Sequence, residues 1–251
     1  MPAFFIDPSD VNGDVITVSG ALCHHLRASL RSRPGDTLIF TVPGIRRYRT
    51  TVTSVDRTHI ASRITESAEA PMPPSPRLVL AQAILKHDRM DWVIQKATEL
   101  GVDSIQPLLT RQSVVRPDAG RSGSQQERWQ RIAIEASQQS ERWLPPVVAD
   151  HRSLEQLMVH WHPGSLAVLL VERIRAVSLQ TVGLDGKQNT ITLLVGPEGG
   201  WRQEEIDALA NKGAVSVGMG ENILRSETAS LAAISIIQSR LGRLGATAES
   251  M

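Results

Sequence analysis

Two short stretches of this chain place glycines at the end of an apolar run, where a main chain can close on a ligand. The first is LLVGPEGGW, residues 193–201, whose turn holds Gly196, Pro197, Gly199 and Gly200. The second is VGMGENILRSETASLAAI, residues 217–234, with Gly218 and Gly220. Without a Cβ, glycine lets a ligand approach the backbone, and open α/β sheets bind ligands beyond the carboxyl ends of their strands. A tight strand-to-helix turn with no ligand uses the same residues. The spacing excludes two nucleotide motifs. The dinucleotide fingerprint needs G-x-G-x-x-G, but the first turn reads G-x-x-G-G, and Ile223 stands where the second would need its third glycine. No G-x-x-x-x-G-K-[ST] run exists, which removes a P-loop.

Charged side chains flank both turns. Arg225 suits the stabilisation of negative charge on a base or a nearby phosphate, or else a salt bridge to Glu227 or Glu198. Glu198 either accepts a proton, contacts a polar group of a ligand, or simply places a carboxylate at a helix N-terminus. Ser226 reads as a helix cap and Glu227 as a complement to the helix dipole. Arg27, Arg31, Arg33, Arg46, Arg47 and Arg49 crowd the first part of the chain and suit phosphate contact, though each alone also fits ordinary solvated charge. Lys86, Arg89 and Lys96 are candidates to flank a substrate cleft. His24 and His25 lie beside apolar helical positions with no evident third ligand, so packing explains them better than a metal. Trp129, Trp143 and Trp201 are candidate stacking surfaces for a base, Trp129 fitting a core position better.

These residues need elements to hold them. Residues 66–76, ESAEAPMPPSP, carry four prolines and read as a linker. Before it, β-type runs at 15–18, 37–42, 48–55 and 59–65 surround one helix marked by Leu22, Leu26 and Leu30, which predicts a small barrel over residues 1–70. After it, over residues 77–251, strands and helices alternate. Strands are predicted at 78–85, 102–109, 166–171, 190–195 and 214–217, and helices after Asp88, at 125–141, after Ser153, at 203–211 and from Ser226 to near Gly242. That alternation predicts a mostly parallel sheet covered on both faces. The last helix is apolar nearly all round, so it must be buried in a core or against another subunit.

The pairing of GPEGG with a G-x-G…ILR-x-ETA segment about 20 residues later resembles the RsmE family of SPOUT methyltransferases. Three further blocks are similar to that family: HHLRASLRSRPGD (24–36), KHDRMDWVIQKATELGV (86–102) and RWQRIAIEASQQSER (128–142). The resemblance implies a PUA-like, RNA-binding barrel followed by an α/β domain with a deep trefoil knot, and a homodimer. It implies S-adenosylmethionine as cofactor and methylation of a uridine N3 in small-subunit (16S) ribosomal RNA, in the assembled subunit. It assigns the cofactor to Leu170, Glu172, Val195, Gly196, Pro197, Glu198, Gly199, Gly200, Gly218, Met219, Gly220, Ile223, Leu224 and Thr228, and the chemistry of such a methylation makes Arg225 and Glu198 the catalytic candidates. Arg27, Arg31, Arg46, Arg47, Arg49, Lys86 and Arg89 become the expected RNA contacts. The chain departs from the family pattern at Ala3, where an arginine is common, in FTVPG (40–44), and at Glu141, where glycine is common.

Composition agrees with a folded protein: 251 residues, 41% hydrophobic, 21% charged and a formal net charge of +1. A single cysteine, Cys23, rules out an internal disulfide and a multi-thiolate metal site. The N-terminus lacks a basic region followed by a long apolar stretch, and no segment suits a bilayer, so a cytoplasmic protein is expected. Two rivals remain at this stage. A non-catalytic RNA-binding protein would not need both glycine turns intact, and a dehydrogenase would need the missing fingerprint.

Overall fold

In a computed structural model, residues 2–113, 122–159, 161, 164–172, 177–184 and 188–245 are described. The chain divides into two compact units. The first comprises Met1–Pro73 together with Ser137–Pro145, and the second Pro74–Ala136 and Pro146–Met251.

The first unit contains β1 (Ala3–Phe5), β2 (Val11–Asn12), β3 (Val15–Ser19), α1 (Gly20–Ala28), β4 (Thr37–Val42), β5 (Arg46–Val55) and β6 (His59–Glu69). Its six strands run in the order β1-β4-β5-β6-β3-β2. The β1–β4 pair is parallel and the others are antiparallel. Alternation drives this sheet. Ile60 and Ser62 of β6 are buried while Arg63 and Thr65 are exposed. The inner side chains form a separate core around Ile16, Leu26, Phe40 and Ile60. β6 runs on to Glu69, so the expected linker begins later than Glu66, because the cross-strand pairs Arg46–Glu69 and Arg49–Glu66 extend the ladder. Ala3 is buried in β1 opposite Ile39.

The second unit continues with β7 (Arg77–Ala83), α2 (Arg89–Glu99), β8 (Ser104–Leu109), α3 (Ser122–Gln139), β9 (Val147–Val148), β10 (Arg152–Ser153) and α4 (Leu154–Val159). It ends with β11 (Leu166–Leu170), β12 (Val177–Ser178), β13 (Thr190–Val195), α5 (Gln203–Asn211), β14 (Val215–Gly218) and α6 (Ser226–Arg240). The strands order as β10-β8-β7-β13-β11-β14-β12, with β9 also on β8, and every pair is parallel. The predicted parallel α/β sheet is therefore present. Its strands bury both faces. Leu78, Leu80, Ile191, Leu193, Val168 and Val217 pack with α2 and α6, while Ala81, Ala167, Leu169 and Leu194 pack with Leu209 of α5. In α2 the buried Met90, Val93, Ile94 and Ala97 repeat at helical spacing. Gly101, at φ +86°, then turns the chain toward β8. In α6 Ala229, Ala233, Ile234 and Ile237 are buried, leaving Leu231, Ala232 and Ile236 partly covered.

Candidate functional site

Four strands of the second unit, β7, β13, β11 and β14, lie side by side and parallel. The loops that follow them therefore leave from one edge of the sheet. The register sets Val195 beside Gln82 and Leu170 beside Val217. Residues 170–172, 195–200 and 218–224, far apart in sequence, are thus brought together, as cofactor binding requires.

The turn at 195–200 is held from several sides. Trp201 lies against Gly196, and its Nε1 donates to the carbonyl of Leu170 at 3.0 Å. A Cβ on Gly196 would fall 3.0 Å from that nitrogen, so the ring occupies the room a side chain would need. Trp201, a candidate base-stacking surface, instead fastens this turn to the end of β11. Ser226 Oγ donates to the Gly196 carbonyl at 2.5 Å. The turn closes with Gly200 N–H donating to the Pro197 carbonyl at 2.9 Å, and Gly200 takes φ +72°, where a side chain is disfavoured. Gln112 lies against Gly199.

An ionic bridge lies outside these contacts. Arg89 Nη1 sits 3.3 Å from Glu198 Oε1, and its Nε sits 3.8 Å from Glu227 Oε1. The Lys86 N–H also donates to Glu198 Oε1, at 3.3 Å. Among the described residues, the buried Glu227 Oε2 has no hydrogen-bond partner. Arg89 takes the carboxylates of Glu198 and Glu227, which were the alternative partners for Arg225. Arg225 is exposed at the N-cap of α6 and has no ion pair among the described residues. Ser226 is consequently the first helical residue rather than the cap, and its hydroxyl points to Gly196. Thr228 and Glu172 are exposed, Met219 and Leu224 pack partly against the core, and Ile223 is 52% exposed on the second turn.

The RNA methyltransferase domain family matches residues 73–238. A ribosomal RNA small subunit methyltransferase E from Synechocystis is 33% identical over 94% of this chain and 77% of its own length. The Bacillus subtilis protein of the same name is 31% identical over 88% of each chain. The chain belongs to the ribosomal RNA small subunit methyltransferase E family. A crystal structure of that family's protein from Neisseria gonorrhoeae, bound to S-adenosyl methionine, covers 96% of this chain and 98% of its own. It superposes with a TM-score of 0.85 at 28% identity.

The family resemblance read from the sequence also named RNA-facing cations, and the structure redistributes them. Arg27 and Arg31 are exposed. Arg46 and Arg49 pair across the ladder with Glu69 at 2.7 Å and Glu66 at 3.4 Å. Arg47 is a correction. It is 8% exposed, and its Nε donates to Thr41 Oγ1 while Nη2 donates to the carbonyls of Glu141 and Arg142. Its guanidinium also lies 4.1 Å above the Trp143 ring. Burial lowers its pKa, and the nearby Glu141 opposes that effect. Its hydrogen bonds fasten Ser137–Pro145 to the first unit, leaving it unavailable for phosphate. Trp143 is likewise used as that guanidinium's platform, and Trp129 is buried with Nε1 donating to Asp91. A cavity of about 470 Å³ in the first unit, lined by Ile6, Asp7, Val18 and Leu22 among others, is no part of the sheet edge.

Sequence reasoning missed three residues near the turn: Gln82, Gln112 and Arg111. Arg111 N–H donates to Glu205, whose other oxygen accepts from the Arg202 N–H at the start of α5. Gln82 sits in an apolar run, and a lone polar residue there is the one signal that could have drawn attention to it.

Proposed function

We propose that this chain methylates N3 of a uridine in small-subunit (16S) ribosomal RNA, using S-adenosylmethionine held at the edge formed by β11, β13 and β14. The observation that carries this reading is the convergence of residues 170–172, 195–200 and 218–224 on adjacent parallel strands in a chain of this family. The unpartnered Glu227 Oε2 fits a ligand rich in donors, such as an ammonium, ribose hydroxyls and an adenine amino group. Leu170, Glu172, Val195 to Gly200, Gly218 to Gly220, Ile223, Leu224 and Thr228 are the residues we assign to holding it.

S-adenosylmethionine supplies an electrophilic methyl on a sulfonium, and transfer requires in-line approach of the nucleophile. The protein's task is to orient and to manage charge. Uridine N3 keeps its proton at neutral pH, so methylation needs that proton removed and the resulting negative charge stabilised. Arg225, exposed and without an ion pair among the described residues, is free to place its guanidinium on the base or an adjoining phosphate. Glu198, held by Lys86 N–H and Arg89, is the carboxylate we assign to proton acceptance or to a polar contact with the cofactor.

The finer architecture is proposed in the same terms. The first unit, a six-stranded sheet with one helix and its own core, is the PUA-like barrel, with Arg27 and Arg31 as its RNA-facing cations. Arg46 and Arg49 join them once their exposed cross-strand pairs yield to phosphate, and Lys86 and Arg89 serve at the sheet edge. A trefoil knot is supported by strand order. β13 lies between β7 and β11, β14 lies beyond β11, and α6 then returns to α2 and β13. Arg240, in the last turn of α6, donates to the carbonyls of Leu179 and Val182 in the connection from β11 to β13. A homodimer is supported by the partly uncovered Leu231, Ala232 and Ile236 of α6. No helix among the described residues is long and apolar enough to cross a membrane. A ribosomal substrate supports the reading of a cytoplasmic chain that acts on the assembled subunit.

The test is mass spectrometry of ribosomal RNA from cells lacking this protein. One N3-methyluridine should disappear and return with the wild-type chain. Arg225→Ala should bind S-adenosylmethionine within a few-fold of wild type, yet lower kcat by about 100-fold or more, the scale of losing one charge-stabilising donor. An unchanged nucleoside profile would end the proposal.

A further inference from the structure

Gln82 is 0% exposed and Ser226 is 8% exposed, and together they reach the turn assigned to the cofactor. Gln82 stands on β7 opposite Val195, on the face that packs against α6. Its Nε2 donates to the Ala83 carbonyl at 3.0 Å, which fixes the orientation of the amide. The same Nε2 therefore donates to Ser226 Oγ, also at 3.0 Å, and the single hydroxyl proton of Ser226 goes to the Gly196 carbonyl. Ser230 Oγ donates to the remaining Gln82 oxygen. The Gln82 amide thus spends its two N–H groups on the Ala83 carbonyl and Ser226 Oγ, which sets the direction from Gln82 through Ser226 to Gly196, while Ser230 Oγ lies within reach of both Gln82 Oε1 and the Ser226 carbonyl.

The relay ends at a telling atom. The Gly196 carbonyl belongs to the peptide that enters Pro197. That peptide has no N–H, and the proline ring already fixes φ of the next residue. Pinning the carbonyl leaves the first half of the turn no freedom to rotate, while Trp201 closes the other side of Gly196. We infer that Gln82 and Ser226 are positioning residues that hold the 195–200 turn in its ligand-ready shape before any ligand arrives, an inference that rests on the cofactor reading proposed above. A turn ordered beforehand loses less entropy on binding, and the gain appears as affinity.

The test compares Ser226→Ala, Ser226→Thr and Gln82→Met by calorimetry with S-adenosylmethionine and S-adenosylhomocysteine, and by amide hydrogen exchange without ligand. Ser226→Ala and Gln82→Met should bind both ligands about tenfold more weakly, the equivalent of one hydrogen bond. KM for RNA should not change. Ser226→Thr keeps the hydroxyl and should bind as wild type does. Amides of residues 198–201 should exchange faster in the ligand-free Ser226→Ala protein. Wild-type affinity in Ser226→Ala, or an equal loss in Ser226→Thr, overturns the inference. Should Gln82→Met fail to fold, the two Ser226 variants decide the matter alone. A wild-type chain that binds neither ligand would sink the enzyme reading, while the exchange comparison would still decide whether the turn is braced.

Discussion

Arg47 shows how one side chain can join two departures from the family pattern. Glu141 adopts φ 55°, in the left-handed region where glycine is at ease, and offers its carbonyl to Arg47. Gly44, the end of FTVPG, donates its N–H to the Trp143 carbonyl at 2.9 Å. The altered loop and the altered segment are therefore in contact within the first unit. Replacing Arg47 by alanine leaves two carbonyls and a hydroxyl without their donor and removes the cation from Trp143. Arg47→Ala should lower unfolding free energy by about 2–4 kcal/mol in urea titrations, from lost hydrogen bonds and the cation–π contact. Arg47→Lys should recover less than half, because an ammonium cannot reproduce the planar fork. The guanidinium stays charged at every working pH despite the lowering by burial, so the loss should not vary between pH 6 and 8 by more than about 0.5 kcal/mol.

The element that matters most is the turn from β13 to α5. Its glycines are not equivalent. At Gly196 a Cβ would meet three atoms of the Trp201 ring at 3.0 to 3.2 Å, and a braced indole cannot step aside without losing its bond to Leu170. At Gly199 the nearest atom is the end of the Gln112 side chain, at 2.9 Å, which can swing away, and the Gln112 Cβ at 3.3 Å must give by only a few tenths of an ångström. Gly196→Ala should therefore weaken S-adenosylmethionine binding by about 30-fold or more, whereas Gly199→Ala should cost about threefold or less, as expected for overpacking against rigid and mobile neighbours. Calorimetry on the two proteins reads this directly. Equal losses would mean that space around the ligand, rather than the Trp201 brace, governs the turn.

At the scale of the whole molecule, α6 is asked to do several things. Its inner face completes the core with α2, its first turn supports the cofactor edge, and Arg240 in its last turn holds residues 179–182. Leu231, Ala232 and Ile236 remain partly uncovered on the same helix. The proposed second copy would bury these and so account for a helix that is apolar nearly all round. Ile236→Arg should shift the protein from dimer to monomer in sedimentation at micromolar concentration, since an unpaired charge in such an interface costs about 2 kcal/mol or more. Ser239, exposed on α6, should accept arginine without that shift. A monomeric wild-type protein, or an Ile236→Arg dimer as tight as wild type, would remove the dimer from the proposal.

The sequence by itself determined the local elements and, through its motifs, the family. Apolar residues at helical spacing marked α2 and α3, alternation marked β6, and the two glycine turns marked the ends of β13 and β14. These signals are local, since a side chain's face depends only on its own segment's periodicity. Strands of two or three residues, β1, β2, β9, β10 and β12, are too short to show a period. Tertiary structure alone decided which strands are neighbours, placing β13 between β7 and β11, because parallel pairing is made by main-chain hydrogen bonds that carry no residue signature. It also decided that Ser226 turns inward to Gly196 rather than capping its helix, and that Arg47 serves the fold rather than RNA. Both outcomes depend on partners at least 30 residues away, Gly196 for the serine and Glu141 for the arginine, and no spacing rule within either segment encodes such a meeting.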